Sequence, residues 1–272
     1  MSQIIDVSIL LCVRNGMPYL RDAVNSVLEQ TGPLFELIAV DDGSIDESLN
    51  WLEQLAFKDK RLVVVRNYSS RGLTYSLNKA LAIARGKYIA RIDHDDIWLS
   101  EKLIRQVEFL DNHDDLVLVA TAYKEADTFK GWKRNPILPI CTNDSEIRLA
   151  LYKYNPFCHS SIIVRRSILN SINGYDESFK YAQDYELWTR VLTLGRAITL
   201  PEVLCIRRVG ENNISTVKER AQRFNALRAK IYWCVRSHFS LRVLLPVFND
   251  IIIILSPTWL KNSIRKLMHK VN

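Results

Sequence analysis

The sequence predicts an α/β fold with a mainly parallel central sheet and a C-terminal helical extension. Strand-like and helix-like segments alternate through roughly the first 125 residues, the signature of parallel strands joined by crossover helices. Polar clusters rich in Asp, Asn and Arg fall at the ends of those strands, where open parallel sheets bind their ligands. The 272 residues are 48% hydrophobic and 25% charged, enough apolar material for one large core or two small ones.

Residues 6–13 form the first predicted strand, which ends in Arg14 and Asn15. Pro18 opens a helix on which Leu20, Ala23, Val24, Val27 and Leu28 recur at helical spacing, stopping before Gly32 and Pro33. Residues 35–40 are a second strand and run into Asp41-Asp42-Gly43. Ser44, with Glu47 three residues on, reads as a capping box that starts the next helix directly after that turn. Residues 61–66 make a third strand, and Leu73, Leu77, Ala80, Leu81 and Ala84 line a helix closed by Gly86. Residues 88–92 are a fourth strand leading into Asp93-His94-Asp95-Asp96. Ser100 caps a helix carrying Leu103, Val107 and Leu110, and residues 116–122 form a fifth strand. The pattern then loosens into an α+β half: a loop-rich stretch at 128–144, an apolar run at 160–164, a helix near 183–194 and a strand near 198–206. No internal repeat or low-complexity tract is present.

The formal charge of +7 is unevenly placed. From Arg207 onward there are 13 Lys/Arg and 3 Asp/Glu, a surplus of ten, so residues 1–206 carry about three net negative charges. This argues against a nucleic-acid-binding core and for a tail that meets something anionic. The five cysteines, Cys12, Cys141, Cys158, Cys205 and Cys234, are odd in number, widely separated and free of any C-x-x-C pair, so they read as reduced and structural. The start shows no basic n-region and no small-residue cleavage site, which predicts a chain that stays in the cytosol. No apolar run approaches the roughly 20 residues that span a bilayer. The longest, residues 241–255, is interrupted by Pro246, Asn249 and Asp250. From Trp259 onward, Leu260, Ile264, Leu267, Met268 and Val271 share one helical face, with Lys261, Arg265, Lys266 and Lys270 interleaved. Such a basic amphipathic helix suits an anionic membrane surface; the same stripe also suits packing against the domain.

Neither classical phosphate loop occurs: there is no G-x-x-x-x-G-K-[ST] and no G-x-G-x-x-G. Asp93-x-Asp95 supplies another means, because alternate residues of an extended segment point the same way and two carboxylates can share a divalent cation that bridges to a diphosphate. Alone, D-x-D also describes solvated turn acids. Its place at a strand end, two strands on from Asp41-Asp42-Gly43, strengthens the metal reading.

The segments Val7-Ser-Ile-Leu-Leu-Cys-Val-Arg-Asn15, Phe35-Glu-Leu-Ile-Ala-Val-Asp-Asp-Gly-Ser44, Ala84-Arg-Gly-Lys-Tyr-Ile-Ala-Arg-Ile-Asp-His-Asp-Asp96, Asn173-Gly-Tyr-Asp176 and Gln183-Asp-Tyr-Glu-Leu-Trp188 together resemble family 2 glycosyltransferases. That is the inverting group with the Rossmann-like GT-A fold, here of the bacterial surface-polysaccharide type. The resemblance spans residues 7 to about 206. It implies that Cys12, Val13 and Arg14, with Asp42, hold the base and ribose of a nucleotide-diphosphate sugar, expected to be a UDP-sugar. It implies that Asp95, supported by Asp93, holds Mg²⁺ or Mn²⁺, that Asp93 also faces the donor, and that Asp184 is the catalytic base. On this reading residues 1–216 are the glycosyltransferase domain, with a donor half at about 1–125 and an acceptor half at about 126–216, and residues 217–272 are a basic helical tail. The expected acceptor is a saccharide hydroxyl, lipid-linked at the inner face of the cell membrane, where the protein would sit peripherally.

The chemistry supports these residue types independently. Breaking an anomeric bond to a nucleoside diphosphate builds charge on the leaving phosphate, which a metal stabilises, while one carboxylate on the opposite face takes the acceptor proton. Asp184 opens a helix in the second half, and its neighbours Tyr185 and Trp188 offer apolar surface to an acceptor sugar. An N-cap carboxylate is the alternative for Asp184. His159, ahead of an apolar strand, either touches donor phosphate or acceptor or is a framework histidine. Alternation points His94 away from the metal. Gln183 stands where the family commonly has Glu before the base, and no Q-x-x-R-W element occurs, so one sugar per binding event is expected. A nucleotidyltransferase would open with a Gly-rich loop where this chain reads Val13-Arg14-Asn15-Gly16-Met17-Pro18. A catalytically silent nucleotide-sugar-binding or scaffolding protein is the other rival, against which the joint presence of Asp42, Asp93, Asp95 and Asp184 speaks.

Overall fold

The computed structural model describes residues 4–127, 136–137, 141–210 and 219–237; the stretches 241–255 and 259–271 lie outside them. Four strands, β1 (Val7–Val13), β2 (Phe35–Asp41), β3 (Leu62–Arg66) and β4 (Tyr88–Asp93), pair in parallel in the order β3-β2-β1-β4. Their crossovers are α1 (Leu20–Leu28), α2 (Ser48–Lys58) and α3 (Leu73–Ile83). The second half adds β5 (Ile97–Trp98), α4 (Lys102–Asn112), β6 (Leu116–Asp127), β7 (Pro136–Ile137), α5 (Asp144–Ala150) and a 3₁₀ turn at His159–Ser161. It ends with β8 (Ile163–Arg165), α6 (Arg166–Ser171), α7 (Gln183–Val191), β9 (Arg196–Val209) and α8 (Glu219–Arg236). These strands extend the same sheet as β4-β8-β6-β9-β5, with β7 paired to β6. β8 runs antiparallel to both neighbours and β5 antiparallel to β9, while β6 and β9 are parallel.

β1 and β2 are buried from end to end. They read as apolar runs because helices cover both faces of a parallel sheet. Alternation still sorts their side chains. Val7, Ile9, Leu11 and Val13 join the layer of α1 and α4, while Leu10 and Cys12 join that of α3, α7 and α8. The second layer includes Ala229 and Trp233 of α8, so residues 219–236, placed in the predicted tail, pack against α7 and bury into the body. Among the described residues no helix is long and apolar enough to cross a membrane.

Several local expectations are corrected. Ser44 is no helix cap: α2 begins at Ser48, Glu47 makes no side-chain capping bond, and the Ser44 hydroxyl instead accepts from Asn15 N at 2.9 Å. The residues between Gly43 and Ser48 are spent tying this loop to the one after β1. Ser100 lies in a turn, with Glu101 at the N-cap of α4. Gly86 does not close α3 in a left-handed turn. It lets the chain pass β1, where a Cβ would sit 2.4 Å from Ser8 N. The helix expected to reach 194 stops at Val191.

Candidate active site at the carboxyl ends of the strands

The strand order reverses direction between β1 and β4, which makes the crevice outside their carboxyl ends the natural ligand site of such a sheet. Register levels the key residues: Cys12 lies beside Val40 of β2 on one side and Asp93 of β4 on the other, and Val13 beside Asp41. The loops after β1 and β2 are laced together. Asn15, at a left-handed φ of 54°, accepts from Ile45 N through Oδ1 at 2.9 Å, Gly16 N donates to Ser48 Oγ at 2.9 Å, and Met17 N donates to Asp46 Oδ2 at 3.1 Å. Gly16 is required at this crossing, since a Cβ there would meet Val13 Cγ2 at 2.5 Å and the His94 ring at 3.1 Å. His94 thus faces the loop after β1.

Of the expected donor-binding group, Arg14 is exposed at the crevice, while Cys12 and Val13 are buried. The Val13 carbonyl is spent on Asp42 N at 2.8 Å. Burial drives the Cys12 thiol far above the ordinary thiol range, against the pull of the Arg91 charge, so it stays protonated. Asp42 departs most from expectation. Its carboxylate, 5% exposed, accepts from Arg71 N and Ser70 Oγ at 2.7 Å, Asn67 Nδ2 at 2.8 Å, Gly72 N at 2.9 Å and Ser76 Oγ at 3.2 Å. A carboxylate offers about four lone-pair sites, so none remains for a ribose hydroxyl. Burial alone would raise its pKa; the donors overcome that and hold it below the usual carboxylate range. Asp42 thereby pins the loop between β3 and α3 to the end of β2.

At the end of β4, Arg91, Asp93 and Asp95 lie two residues apart. The Arg91 guanidinium is 2% exposed and forms a bidentate pair with Asp93, while Asp93 N donates to Ser160 Oγ at 2.9 Å. Burial opposes ionisation of Asp93, but Arg91 holds its pKa down. Asp95 is half-buried, and its own backbone N–H is the one hydrogen-bond donor that acts on its carboxylate among the described residues. Burial first, and then the Asp93 charge, raise its pKa. The two carboxylates are therefore unequal: one is neutralised by arginine, and the other is held in conflict with its neighbour, a conflict that a cation would relieve.

Asp184, the second residue of α7, sits half-buried at the same crevice. Asn155 Nδ2 donates to its Oδ2 at 2.7 Å, and Arg91, Asp93 and Tyr175 act on it electrostatically. Burial raises its pKa above the usual carboxylate range, which makes the ionised form a stronger proton acceptor. It is not an N-cap: Ala182 holds that position, in left-handed conformation. Tyr185 and Trp188 do not face a sugar. They are 2% and 0% exposed; Tyr185 donates to Leu151 O at 2.6 Å, and Trp188 stacks edge-on against Phe157 and His159. Both belong to the buried cluster that α7 shares with α3 and α8, so their rings are spent on the core. His159 is 7% exposed, its Nε2 2.9 Å from the Tyr175 hydroxyl, and burial pushes its pKa well down. A neutral, hydrogen-bonded ring of this kind matches the framework alternative.

This arrangement can be set beside known proteins. The family model described as Glycosyl transferase family 2 matches residues 8–172. The chain belongs to that family. Among curated relatives, the amylovoran biosynthesis glycosyltransferase AmsE of Erwinia amylovora is 31% identical over 214 residues, 78% of each chain. The Escherichia coli UDP-Glc:alpha-D-GlcNAc-diphosphoundecaprenol beta-1,3-glucosyltransferase WfaP is 28% identical over 229 residues, 82% of this chain and 86% of that one. Among solved structures, residues 1–349 of TarS from S. aureus superpose with a TM-score of 0.71 at 19% identity, covering 91% of this chain and 72% of that one. The same fragment also matches in its complexes with UDP and with UDP-GlcNAc. At that identity the structures show a common GT-A fold and no more.

For a family 2 glycosyltransferase the residues present fit a divalent ion: Asp95 and the outer face of Asp93 are all-oxygen donors of the kind Mg²⁺ and Mn²⁺ prefer. Residues that sequence reading passed over now stand out. Arg91 had a readable signal, being a charged residue inside an apolar strand and two positions before Asp93, on the same face. Tyr175 lies within the Asn173-Gly-Tyr-Asp176 segment without an assigned role, and Asn67, Ser160 and Asn155 had no signal, because each reaches the site from a distant turn.

Proposed function

We propose that this family 2 glycosyltransferase is non-processive, inverting and metal-dependent, and moves a hexose from a UDP-sugar onto a hydroxyl of a lipid-linked saccharide in surface-polysaccharide synthesis. The observation that carries it is the pairing of two half-buried carboxylates of raised pKa, Asp95 and Asp184, at one crevice beside the buried Arg91. When bound, Mg²⁺ or Mn²⁺ supplies Lewis-acid stabilisation of the leaving diphosphate. Asp95 and Asp93 would hold it. Arg91 fixes the Asp93 carboxylate, the loops pinned by Asp42 and Ser44 shape the nucleotide cleft, and Asp184, oriented by Asn155, takes the acceptor proton. One displacement from the face opposite the diphosphate inverts the anomeric centre.

The donor assignment draws on the UDP and UDP-GlcNAc complexes of TarS, and the acceptor class on the diphosphoundecaprenol-linked acceptor named for WfaP. A mannosyltransferase of Pyrobaculum calidifontis solved with GDP-Man and Mn²⁺ shares the fold at a TM-score of 0.67, 20% identity, 93% of this chain and 70% of that one, in line with the metal. Chelator is expected to abolish transfer and Mg²⁺ or Mn²⁺ to restore it. Asp95→Asn should weaken metal-dependent nucleotide binding while leaving the melting temperature nearly unchanged, and full transfer in excess chelator would remove the metal from the account.

A membrane-surface site of action follows from the same acceptor class. The basic residues beyond 237, each contributing about 1 kcal/mol near an anionic surface, would hold the protein there. The full chain is expected to sediment with anionic vesicles and to release at high salt, and a chain ending before Pro257 to lose this. Equal sedimentation of both would place the attraction elsewhere.

A further inference from the structure

Behind the crevice, three ligand-type side chains converge that the transfer reaction does not use. Asp96, in the turn between β4 and β5, Cys158, just before the 3₁₀ turn, and Cys205, in the middle of β9, are 2%, 8% and 0% exposed. One ligand atom from each lies within 4.8 Å of the other two. Around a tetrahedral zinc ion, with Zn–S near 2.3 Å and Zn–O near 2.1 Å, such atoms stand about 3.6–3.8 Å apart, so a closing movement of about 1 Å brings the three to ligand spacing and fills three of the ion's four positions. No other described cysteine joins such a group.

The surroundings are those of an ion site. Ser160 Oγ donates to Asp96 Oδ2 at 2.5 Å and Arg208 N to Asp96 Oδ1 at 2.9 Å, which fixes the carboxylate and leaves about half its lone-pair capacity for a further partner. Lys102 is fully buried, its ammonium 2.6 Å from the Gln106 amide oxygen and 4.1 Å from the Trp98 ring centre. Burial pushes its pKa down to about 7, and the acidic groups that act against this are Cys205 and Cys158. Two thiolates and a carboxylate around a divalent ion would carry one net negative charge, the counter-charge this buried lysine otherwise lacks.

We propose that Asp96, Cys158 and Cys205 form a second, thiophilic metal site for a d¹⁰ divalent ion, Zn²⁺ foremost, separate from the oxygen site at Asp93 and Asp95. On binding, the two thiols release their protons to solvent and the ion ties the β4–β5 turn, the turn before β8 and β9 into one brace beneath the crevice. The site is a brace rather than a reaction centre.

Titration of the reduced, metal-free full chain with Cd²⁺ tests this through the ultraviolet thiolate-to-metal charge-transfer band. One equivalent should saturate the band, Zn²⁺ should displace it, and Zn²⁺ should raise the melting temperature. Cys158→Ser and Cys205→Ser should each lower affinity by more than the ~10–100-fold typical of outer-shell changes, while Cys141→Ser keeps the wild-type curve. Asp96→Asn should weaken binding with the thiolate band still present at higher Cd²⁺. The absence of a band in the wild-type chain, a band unchanged in Cys205→Ser, or a Cys158–Cys205 disulfide that resists reductant would each overturn the site.

Discussion

Asp184→Asn is expected to lower turnover by about 10²–10⁴ with little change in donor affinity, because a general base contributes on that scale and only in the transition state. The neutral amide keeps the shape and the contact with Asn155, so the variant should fold normally. The pH profile carries the same residue. Burial raises the Asp184 pKa, and the base must be ionised to act, so transfer should fall as pH drops through a value above the ordinary carboxylate range, with full activity on the alkaline side. The acid limb should disappear in Asp184→Asn. Near-normal turnover in that variant would leave Asp184 with a structural role and send the search for a base elsewhere in the crevice.

The second large effect is expected at Arg91. Arg91→Met should destabilise the fold by about 3 kcal/mol, the lower end of the range for breaking a buried ion pair. The lower end applies because the Asp93 side chain keeps 37% of its surface in water. That corresponds to a fall in melting temperature of roughly 6–12 °C for a chain of this size. Asp93 would then face Asp95 without a counter-charge. Addition of Asp93→Asn to Arg91→Met should therefore recover part of the loss, a coupling measurable by a double-mutant cycle. Additive losses would show that Arg91 acts through packing alone. Arg91 thus holds Asp93 ionised, while burial is what raises the pKa of Asp184.

Much of the donor half was legible because its signals are local. The strands at 6–13, 35–40, 61–66 and 88–92 are short apolar runs, each ending in polar residues, and the structure places each within a residue or two of expectation. Asp93, Asp95 and Asp184 stand out for the same reason, as acids at strand or helix ends, and the structure brings them to one crevice. What failed depended on tertiary partners. Ser44 fits a capping box until Asn15, 29 residues away, claims its hydroxyl. Gly86 follows a helix, yet its reason is the backbone of β1, 78 residues earlier. Tyr185 and Trp188 lie close to Asp184 in sequence but are buried in the core. β5 has two residues and carries no period of its own; it exists because Trp98 pairs with Cys205 across the sheet. Asp42 was found by its position and misjudged in its role, since five donors from residues 67–76 are invisible until the loop after β3 folds over it.

The central claim is single-displacement transfer from a nucleotide sugar by this crevice, and one measurement tests it most directly. The purified full chain is supplied with a UDP-hexose of known anomeric configuration, Mn²⁺ and a lipid-linked saccharide acceptor, and the anomeric configuration of the new linkage is read by NMR. The account predicts a product formed only with metal, carrying the configuration opposite to the donor's. A product of retained configuration, or the same product formed equally well in chelator, would contradict it.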